Sequence, residues 1–255
     1  MVNPNVKLTA HHLKQAETYG PPKPLVNRKE DDEVGMRLDT LSLSNLAKMP
    51  DFIRHPEKHL FDMQLTYEQK RLDIARMRDR LPDVSELPSA QEIGKFAPPV
   101  SPRTLIYLYY TAYVLLLTLA LIINGLLRAL DPLDITLIED AIVFSDEVTV
   151  IAEHMSQYRP LGAGFIPMCL MAAWSSTSDP RKSAKLQEMI QDYSTDFAGA
   201  RWMEGALWLK DRFNLLRFKT MATKLEQQQC SSFSDQNKLG DDVNAPDISR
   251  SCCIQ

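Results

Sequence analysis

The feature of this sequence that most constrains its fold is an uncharged run from Leu105 to Leu127, which lies between Arg103 and Arg128. A helix of this length, at about 1.5 Å rise per residue, could cross a bilayer with a hydrocarbon core of roughly 30 Å. It could equally be the central helix of an all-α domain, covered by neighbours on every side. The choice between these two structures decides whether the protein is a membrane protein or a soluble one.

The residues inside the run favour neither structure strongly. Four tyrosines, Tyr107, Tyr109, Tyr110 and Tyr113, lie in its first half, whereas a spanning helix favours aromatic residues at both interfaces. Small residues recur every seventh position in the same run, at Thr111, Thr118 and Gly125. They would let another helix approach closely, which suits a soluble core and a membrane bundle equally.

The segments that follow the run favour a soluble bundle. Two of them carry apolar residues at alternating spacings of three and four, which is typical of an amphipathic helix with one covered face. The first stripe consists of Leu137, Ala141, Phe144, Val148, Ile151 and Met155, and the second of Trp202, Ala206, Leu209, Phe213 and Leu216. We therefore predict an all-α helical bundle built around one long apolar core helix, with disordered N- and C-terminal tails.

Prolines and polar stretches divide the chain. Residues 1–39 are polar and proline-rich and are predicted to be disordered or loosely ordered. Residues 40–218 are predicted to form an all-α domain, of which 103–218 is the best-defined core. From residue 219 to 255 the composition turns polar, which predicts a disordered tail.

Within the predicted domain, the pattern indicates a long helix from Glu57 to Leu81, stopped at Pro82, with a packing face that its weak periodicity does not define. Helix breaks are expected at Asp131-Pro132, at Arg159 to Gly162 and at Asp179-Pro180. Pro132 and Pro180 are each predicted at the first position of a new helix, where proline is favoured.

Charge and cysteine content exclude several classes of protein. The net charge of −4 gives no electrostatic footprint for nucleic acid. The first residues are polar and do not resemble a secretory signal. The four cysteines show neither a disulfide framework nor zinc-finger spacing, and Cys169 lies in an apolar stretch where we expect it to be buried. These features predict a reducing compartment.

Candidate catalytic and metal motifs are weak. His55, Glu57 and His59 occur in HPEKH, which is not the HExxH pattern of zinc hydrolases and which reads better as a helix start at Pro56. The glycines of RPLGAGF, Gly162 and Gly164, lack the preceding strand of a phosphate loop and indicate an interhelical turn. We expect no catalytic residue, metal or cofactor, and we interpret the chain as a non-enzyme.

Two other residues are candidates for local roles. His154 falls near the end of a predicted helix, where its charged form would interact favourably with the helix dipole. The last four residues, Cys-Cys-Ile-Gln, fit a prenylation box with Cys252 as the lipid acceptor. No polybasic patch precedes this box, so the second signal that a stable anchor needs is missing.

Three stretches in the second half of the chain resemble the regulatory domain of fungal zinc-binuclear-cluster transcription factors. They are LYYTAYVLLLTLALI, then AEHMSQYRPLGAGFIPMCLMAAWSSTSDPRKSAKLQEMIQDY, and finally DFAGARWMEGALWLKDRF, which together span residues 108–213. The resemblance implies a wholly helical, nuclear domain without catalytic residues, which modulates a separate DNA-binding module. It also implies a role in the expression of genes for metabolites, including secondary metabolism.

The sequence departs from that family at the DNA reader. The family's reader holds two zinc ions with six cysteines near the N-terminus, and this chain has no cysteine before Cys169. Either the chain is a truncated version of a longer zinc-cluster regulator, or it is a stand-alone regulator that acts through protein partners, such as a DNA-binding regulator or a second copy of itself, or by sensing a small molecule. In both cases we predict no direct sequence-specific DNA binding by this chain. The rival interpretation is a single-pass membrane protein with Leu105–Leu127 as the spanning helix.

Overall fold

The long uncharged run forms the central helix of the protein. The structure, a computed structural model, describes residues 41–93, 102–197 and 199–237, and these residues belong to one compact unit. The helix that contains the run, α5, begins at Pro102 and ends at Leu130. Most of its side chains between Val114 and Ala129 are fully or nearly fully buried.

The chain is helical wherever the structure describes regular structure, and no strand occurs in the described ranges. In order, the helices are α1 (Leu43–Leu46), α2 (Met49–Arg54), α3 (Leu60–Arg80), α4 (Ala90–Ile93), α5 (Pro102–Leu130), α6 (Ile135–Met155), α7 (Ile166–Ser176), α8 (Pro180–Ser194) and α9 (Trp202–Asn237). Short 3₁₀ turns lie at Pro56–His59, Val84–Glu86 and Ser156–Tyr158. The predicted all-α bundle around one long apolar helix is confirmed.

Four helices cover α5. It contacts α3, α6, α7 and α9 along its length, so its apolar surface is distributed among several neighbours. The short helix α7 forms a second layer of core, because it packs against α5, α6, α8 and α9 and most of its residues are buried. An apolar helix enclosed in this way has the all-round hydrophobicity expected at the centre of a bundle.

Both predicted amphipathic stripes face the core. All six residues from Leu137 to Met155 are buried in α6. In α9 the buried residues are Ala206, Leu209, Phe213 and Leu216, while Trp202 at the helix start is half-buried. The 3-and-4 spacing of apolar residues therefore located the packing face of these two helices correctly.

Helix α3 packs by a face that its leucines do not mark. Leu60, Leu65 and Leu72 are exposed. The buried residues follow a different stripe, consisting of Met63, Thr66, Tyr67, Lys70, Asp73, Ile74 and Met77. Polar side chains interrupt this stripe, which explains why the apolar periodicity of the segment is weak.

Aspartate side chains set the start of two helices. Asp134 accepts a hydrogen bond from the Leu137 backbone N–H at the start of α6, and Asp179 accepts one from the Arg181 N–H at the start of α8. An N-cap of this kind satisfies one of the free N–H groups of the first turn. Pro180 is the first residue of α8, as predicted, but Pro132 lies in the turn before α6, because Asp134 and not Asp131 caps that helix.

Helix α9 extends beyond the domain boundary that the sequence places at residue 218. The structure continues it as helix to Asn237, through part of the predicted tail. Lysine, glutamate and glutamine are good helix formers, and they supply much of this segment. The predicted N-terminal segment, residues 1–39, and Cys252 lie outside the described residues.

Candidate functional site

The HPEKH segment starts a helix. His55 precedes the 3₁₀ turn that Pro56 begins, and His59 precedes α3. The His59 ring lies 5.9 Å from that of Phe52, and its Nδ1 lies 3.9 Å from a carboxylate oxygen of Asp62. Within residues 41–93, 102–197 and 199–237, no group of three or more His, Cys, Asp or Glu side chains could hold a metal ion.

The RPLGAGF segment forms a tight connection between the 3₁₀ turn at Ser156–Tyr158 and α7. The Gly162 N–H donates to the Tyr158 carbonyl at 2.9 Å, and the Tyr107 hydroxyl donates to the Gly162 carbonyl. A Cβ atom at Gly162 would lie 2.9 Å from the Cβ of Tyr158, so the close approach requires glycine. This geometry is that of an interhelical turn, as predicted.

Two further residues serve the fold locally. Cys169 is fully buried, its thiol contacts the Phe165 carbonyl at 3.5 Å, and burial raises the pKa of the thiol to about 12. A thiol held protonated in this way is a poor nucleophile. His154 lies in the last turn of α6, with Nδ1 2.9 Å from the Val150 carbonyl.

The tyrosines near the start of α5 tie this helix to the surrounding loops. Tyr110 donates to the Pro82 carbonyl, and Tyr113 donates to the Glu147 carboxylate on α6. Burial raises the pKa of Tyr110 to about 12 and raises that of Tyr113 further. The tyrosine-rich half of the run therefore anchors the connections, whereas the second half is almost wholly apolar.

A buried polar network joins three helices at the centre of the bundle. The Asn124 amide donates to the Tyr67 hydroxyl and to the Leu137 carbonyl, each at 2.8 Å. The Tyr67 hydroxyl in turn donates to Asp140 at 2.8 Å, and Arg71 pairs with the same carboxylate at 2.9 Å. Burial raises the pKa of Tyr67 well above its usual value. The network fixes α3, α5 and α6 against one another.

We expect Asn124→Leu to lower the free energy of unfolding by about 1 kcal/mol, because the substitution removes two buried hydrogen bonds. It also removes the Asn124 side-chain oxygen, which is buried without a hydrogen-bond partner, and this offsets part of the loss. Urea titration followed by circular dichroism measures the change. The matched control is Ile122→Leu, two residues earlier in α5. This substitution changes the shape of an apolar side chain without changing a polar contact, and it should lower the free energy of unfolding by less than about 1 kcal/mol. Equal stability of Asn124→Leu and wild type would contradict a stabilising role for the network.

A first open cleft, of about 510 Å³, lies between α3, α5 and α6. Its walls include Arg78, Asp83, Tyr110, Tyr113 and Glu147. Much of its polar surface is already engaged: Arg78 pairs with Glu147 at 2.6 Å, and both tyrosine hydroxyls are hydrogen-bonded within the protein. The cleft is shaped to admit a small molecule, but it presents no arrangement of a nucleophile and a base.

A second and larger cleft, of about 840 Å³, separates α2 from the middle of α9. We call it the α2–α9 groove. One wall is mostly apolar, and its apolar residues are Leu46, Met49, Pro50 and Ile53. The α9 wall combines Trp208 and Leu215 with the charged residues Asp211 and Arg212. Arg212 closes the floor by donating to the carbonyls of Ile53 and Arg54, at 2.9 and 2.7 Å.

The α9 wall of this groove belongs to a longer apolar surface. We call it the outer α9 stripe, and its side chains are between 43% and 69% exposed: Leu207, Trp208, Leu215, Phe218, Met221 and Leu225. At 100° per residue, these positions lie on the side of the helix opposite the buried stripe. Large contiguous apolar patches on a protein surface mark interaction sites.

The sequence analysis did not identify the outer α9 stripe, although a signal for it exists. In the sequence, apolar residues follow one another at spacings of three and four from Leu215 to Phe218, Met221 or Ala222, and Leu225. This stripe lies about half a turn around the helix from the buried stripe of α9. One helix with two apolar stripes packs on the core through the first and leaves the second uncovered.

Comparison with known protein families, with curated proteins and with solved structures found no match to this chain. The site must therefore be interpreted from its own chemistry. A largely apolar groove continuous with an apolar helix face is suited to binding an apolar protein surface, since it offers a large contact area.

Proposed function

We propose that the protein is a nuclear regulator of gene expression that acts through contacts with other proteins. The α2–α9 groove, continuous with the outer α9 stripe, is the observation that carries this proposal, because together they form a large exposed surface that is mainly apolar. The resemblance of residues 108–213 to the regulatory domain of fungal transcription factors supports the nuclear and regulatory part.

The proposed mechanism is recruitment. A regulator of this kind would reach its target genes through a DNA-binding partner, since a chain with net charge −4 lacks the overall positive charge that favours binding to the phosphate backbone. Binding of an apolar helix on this surface, from that partner or from a second copy of the chain, would assemble the complex that reaches the promoter. The cleft between α3, α5 and α6 gives a small-molecule effector a place to bind and modulate that contact.

Localisation and a reporter assay test the proposal together. The full-length chain, tagged at its N-terminus, should give nuclear fluorescence. Fused to an unrelated DNA-binding domain, it should change transcription of the matching reporter gene. We expect Leu215→Glu, in the groove wall, to abolish at least half of this effect, because a charge replaces an apolar contact.

The matched control for the reporter is Leu72→Glu, which places the same charge on an exposed leucine of α3 outside the groove. It should leave the reporter signal unchanged. A fusion without effect on the reporter, or fluorescence confined outside the nucleus, would overturn the proposal.

A specific observation favours one alternative, a single-pass membrane protein. Thr104–Leu130 is long and apolar enough to cross a bilayer, with a mean hydropathy of 2.1 in its most apolar window. However, 56% of that window is buried against other helices, and a core helix passes the same test. Carbonate extraction of membranes distinguishes the two proposals, because a spanning protein stays in the pellet and a regulator does not. A lipid on Cys252 would add to membrane attachment in the alternative.

A further inference from the structure

We propose that the protein that docks on the α2–α9 groove is a second copy of this chain, and that two copies pair through antiparallel α9 helices. This inference rests on the proposed function in one respect: it names the protein that binds in the groove. Four observations carry it: the two-part shape of the apolar surface, its extent, its position along one helix, and the placement of charge within it.

The apolar surface has a concave part and a convex part on the same helix. Trp208 and Leu215 line the groove, whereas Phe218, Met221 and Leu225 lie farther along α9, beyond the last core contact at Leu216. Around a two-fold axis between Leu215 and Phe218, the convex part of each copy meets the concave part of the other. A two-fold interface is self-complementary in this sense, since each patch must fit itself after rotation.

The register of such a pair brings four of the six residues of the outer α9 stripe together. Antiparallel helices that are centred between Leu215 and Phe218 place these two residues opposite each other across the axis. The same register places Trp208 of each copy opposite Leu225 of the other. Apolar residues seven apart on a straight helix face keep such a seam continuous over several turns.

The extent of the surface is sufficient for a dimer. Six large side chains, each about half exposed, leave roughly 100 Å² apiece if a large side chain can bury about 200 Å². Two copies would then bury on the order of 1,200 Å² in all, the lower end of the range for specific protein interfaces. The walls contributed by α2 add to this area.

The position of Asp211 selects the antiparallel arrangement. Asp211 lies within the outer α9 stripe, on the wall of the groove. In a parallel pair the two Asp211 carboxylates would face each other, which is destabilising. In the antiparallel pair Asp211 faces Ala222 of the second copy and lies near its Lys219, so the charge meets one of opposite sign.

Sedimentation equilibrium of the full chain tests the pairing. The expected mass is twice the 29.0 kDa of the chain at about 100 µM, a concentration at which even a dimer of micromolar Kd is largely assembled. We expect the double variant Phe218→Glu/Leu225→Glu to sediment as a monomer with an unchanged circular dichroism spectrum, because both residues are exposed in the isolated chain. The matched control, Leu65→Glu/Leu72→Glu on α3, should remain dimeric.

A charge exchange tests the orientation. Asp211→Lys should weaken the dimer at least tenfold, and adding Lys219→Asp in the same chain should restore most of the affinity, since each copy then carries the reversed pair. A wild-type monomer at the concentration given above, or a Phe218→Glu/Leu225→Glu variant that stays dimeric, would overturn the proposal. So would loss of the dimer in the α3 control.

These results separate the two proposals. A monomer that still enters the nucleus and changes the reporter would eliminate the self-association and leave the regulator in place. A dimer without nuclear signal or reporter effect would do the converse. A monomer that copurifies stoichiometrically with a DNA-binding protein, and loses it on Leu215→Glu, would assign the groove to that partner and overturn the dimer.

Discussion

Replacing Gly125 with alanine should lower the free energy of unfolding by up to about 2 kcal/mol, although alanine is the better helix former. The Cβ atom of alanine would lie 2.4 Å from two carbons of the Phe213 ring, which is buried between α5 and α9. Such an overlap forces the ring or the whole of α9 away, and overpacking of this kind typically costs about 1–3 kcal/mol. The gain in helix propensity, about 1 kcal/mol, does not offset a displaced helix.

The matched control is Gly205→Ala on α9. There the added Cβ would lie 2.5 Å from the terminal methyl of Met171, almost the same distance as at Gly125. A methionine methyl can move away at little cost. We therefore expect Gly205→Ala to be neutral or stabilising by up to about 1 kcal/mol. The two substitutions separate helix propensity from a rigid steric contact.

A double-mutant cycle with Phe213→Leu identifies the ring as the cause. Phe213→Leu alone should cost about 1–2 kcal/mol, because it leaves a small void between α5 and α9. In its presence Gly125→Ala should cost much less than in wild type, which gives a favourable coupling of about 1–2 kcal/mol. Additive costs, measured by urea unfolding, would show that Gly125 is needed for another reason.

The contact at Gly125 illustrates what the sequence could establish about the core. The seven-residue recurrence of Thr111, Thr118 and Gly125 predicts that a helix approaches α5 closely, and α9 does so at Gly125. The buried stripes of α6 and α9 were equally predictable, because a helix that buries one face carries apolar residues at regular spacings of three and four. Which two helices meet is not encoded in any local pattern.

Helix α3 shows where this reasoning fails. Its exposed leucines are more apolar than several residues that it buries, such as Lys70 and Asp73. The polar network around Tyr67 could not be predicted either, because its hydrogen bonds join residues that lie 57 and 73 positions apart in the sequence. Such contacts depend on the tertiary arrangement, and single-sequence patterns report only on local structure.

The candidate site was beyond the sequence analysis for a related reason. The sequence identifies Trp208 and Leu215 as apolar residues of a helix. Only the structure shows that the core leaves them uncovered and that α2 faces them across a groove. The predictions about function, nuclear localisation, partners and the absence of catalysis remain predictions. They depend on events outside the chain, which neither the helices nor their packing determine.

Replacing Lys70 with methionine should remove a rise in the free energy of unfolding that the wild type shows with pH above about 8. Lys70 is only 1% exposed on the core face of α3, and this burial lowers the pKa of its ammonium from 10.5 to about 8, with Asp73 partly opposing the effect. A difference of that size corresponds to about 3 kcal/mol of destabilisation whenever the lysine is charged in the folded protein. Methionine keeps the aliphatic length and removes the charge.

The dependence on pH follows from the same pKa values. Below pH 8 both the folded and the unfolded chain hold the Lys70 proton, so the full penalty is present. Between pH 8 and 10.5 the unfolded chain binds the proton more tightly than the folded one. The free energy of unfolding of the wild type, relative to that of Lys70→Met, should therefore rise with pH through this window. Ionisation of the Cys169 thiol in the unfolded chain lowers both free energies alike, so the comparison with the variant isolates Lys70.

Urea titrations from pH 7 to about 9.5 measure both free energies before the tyrosines of the unfolded chain begin to ionise near pH 10. The control is Lys185→Met, which removes an exposed lysine paired with Glu153 at 2.6 Å. A surface pair of this kind contributes at most about 1 kcal/mol, so this variant should be slightly less stable than wild type and keep the wild-type slope. A Lys70→Met variant that keeps the wild-type rise with pH would show that a group other than Lys70 causes the rise.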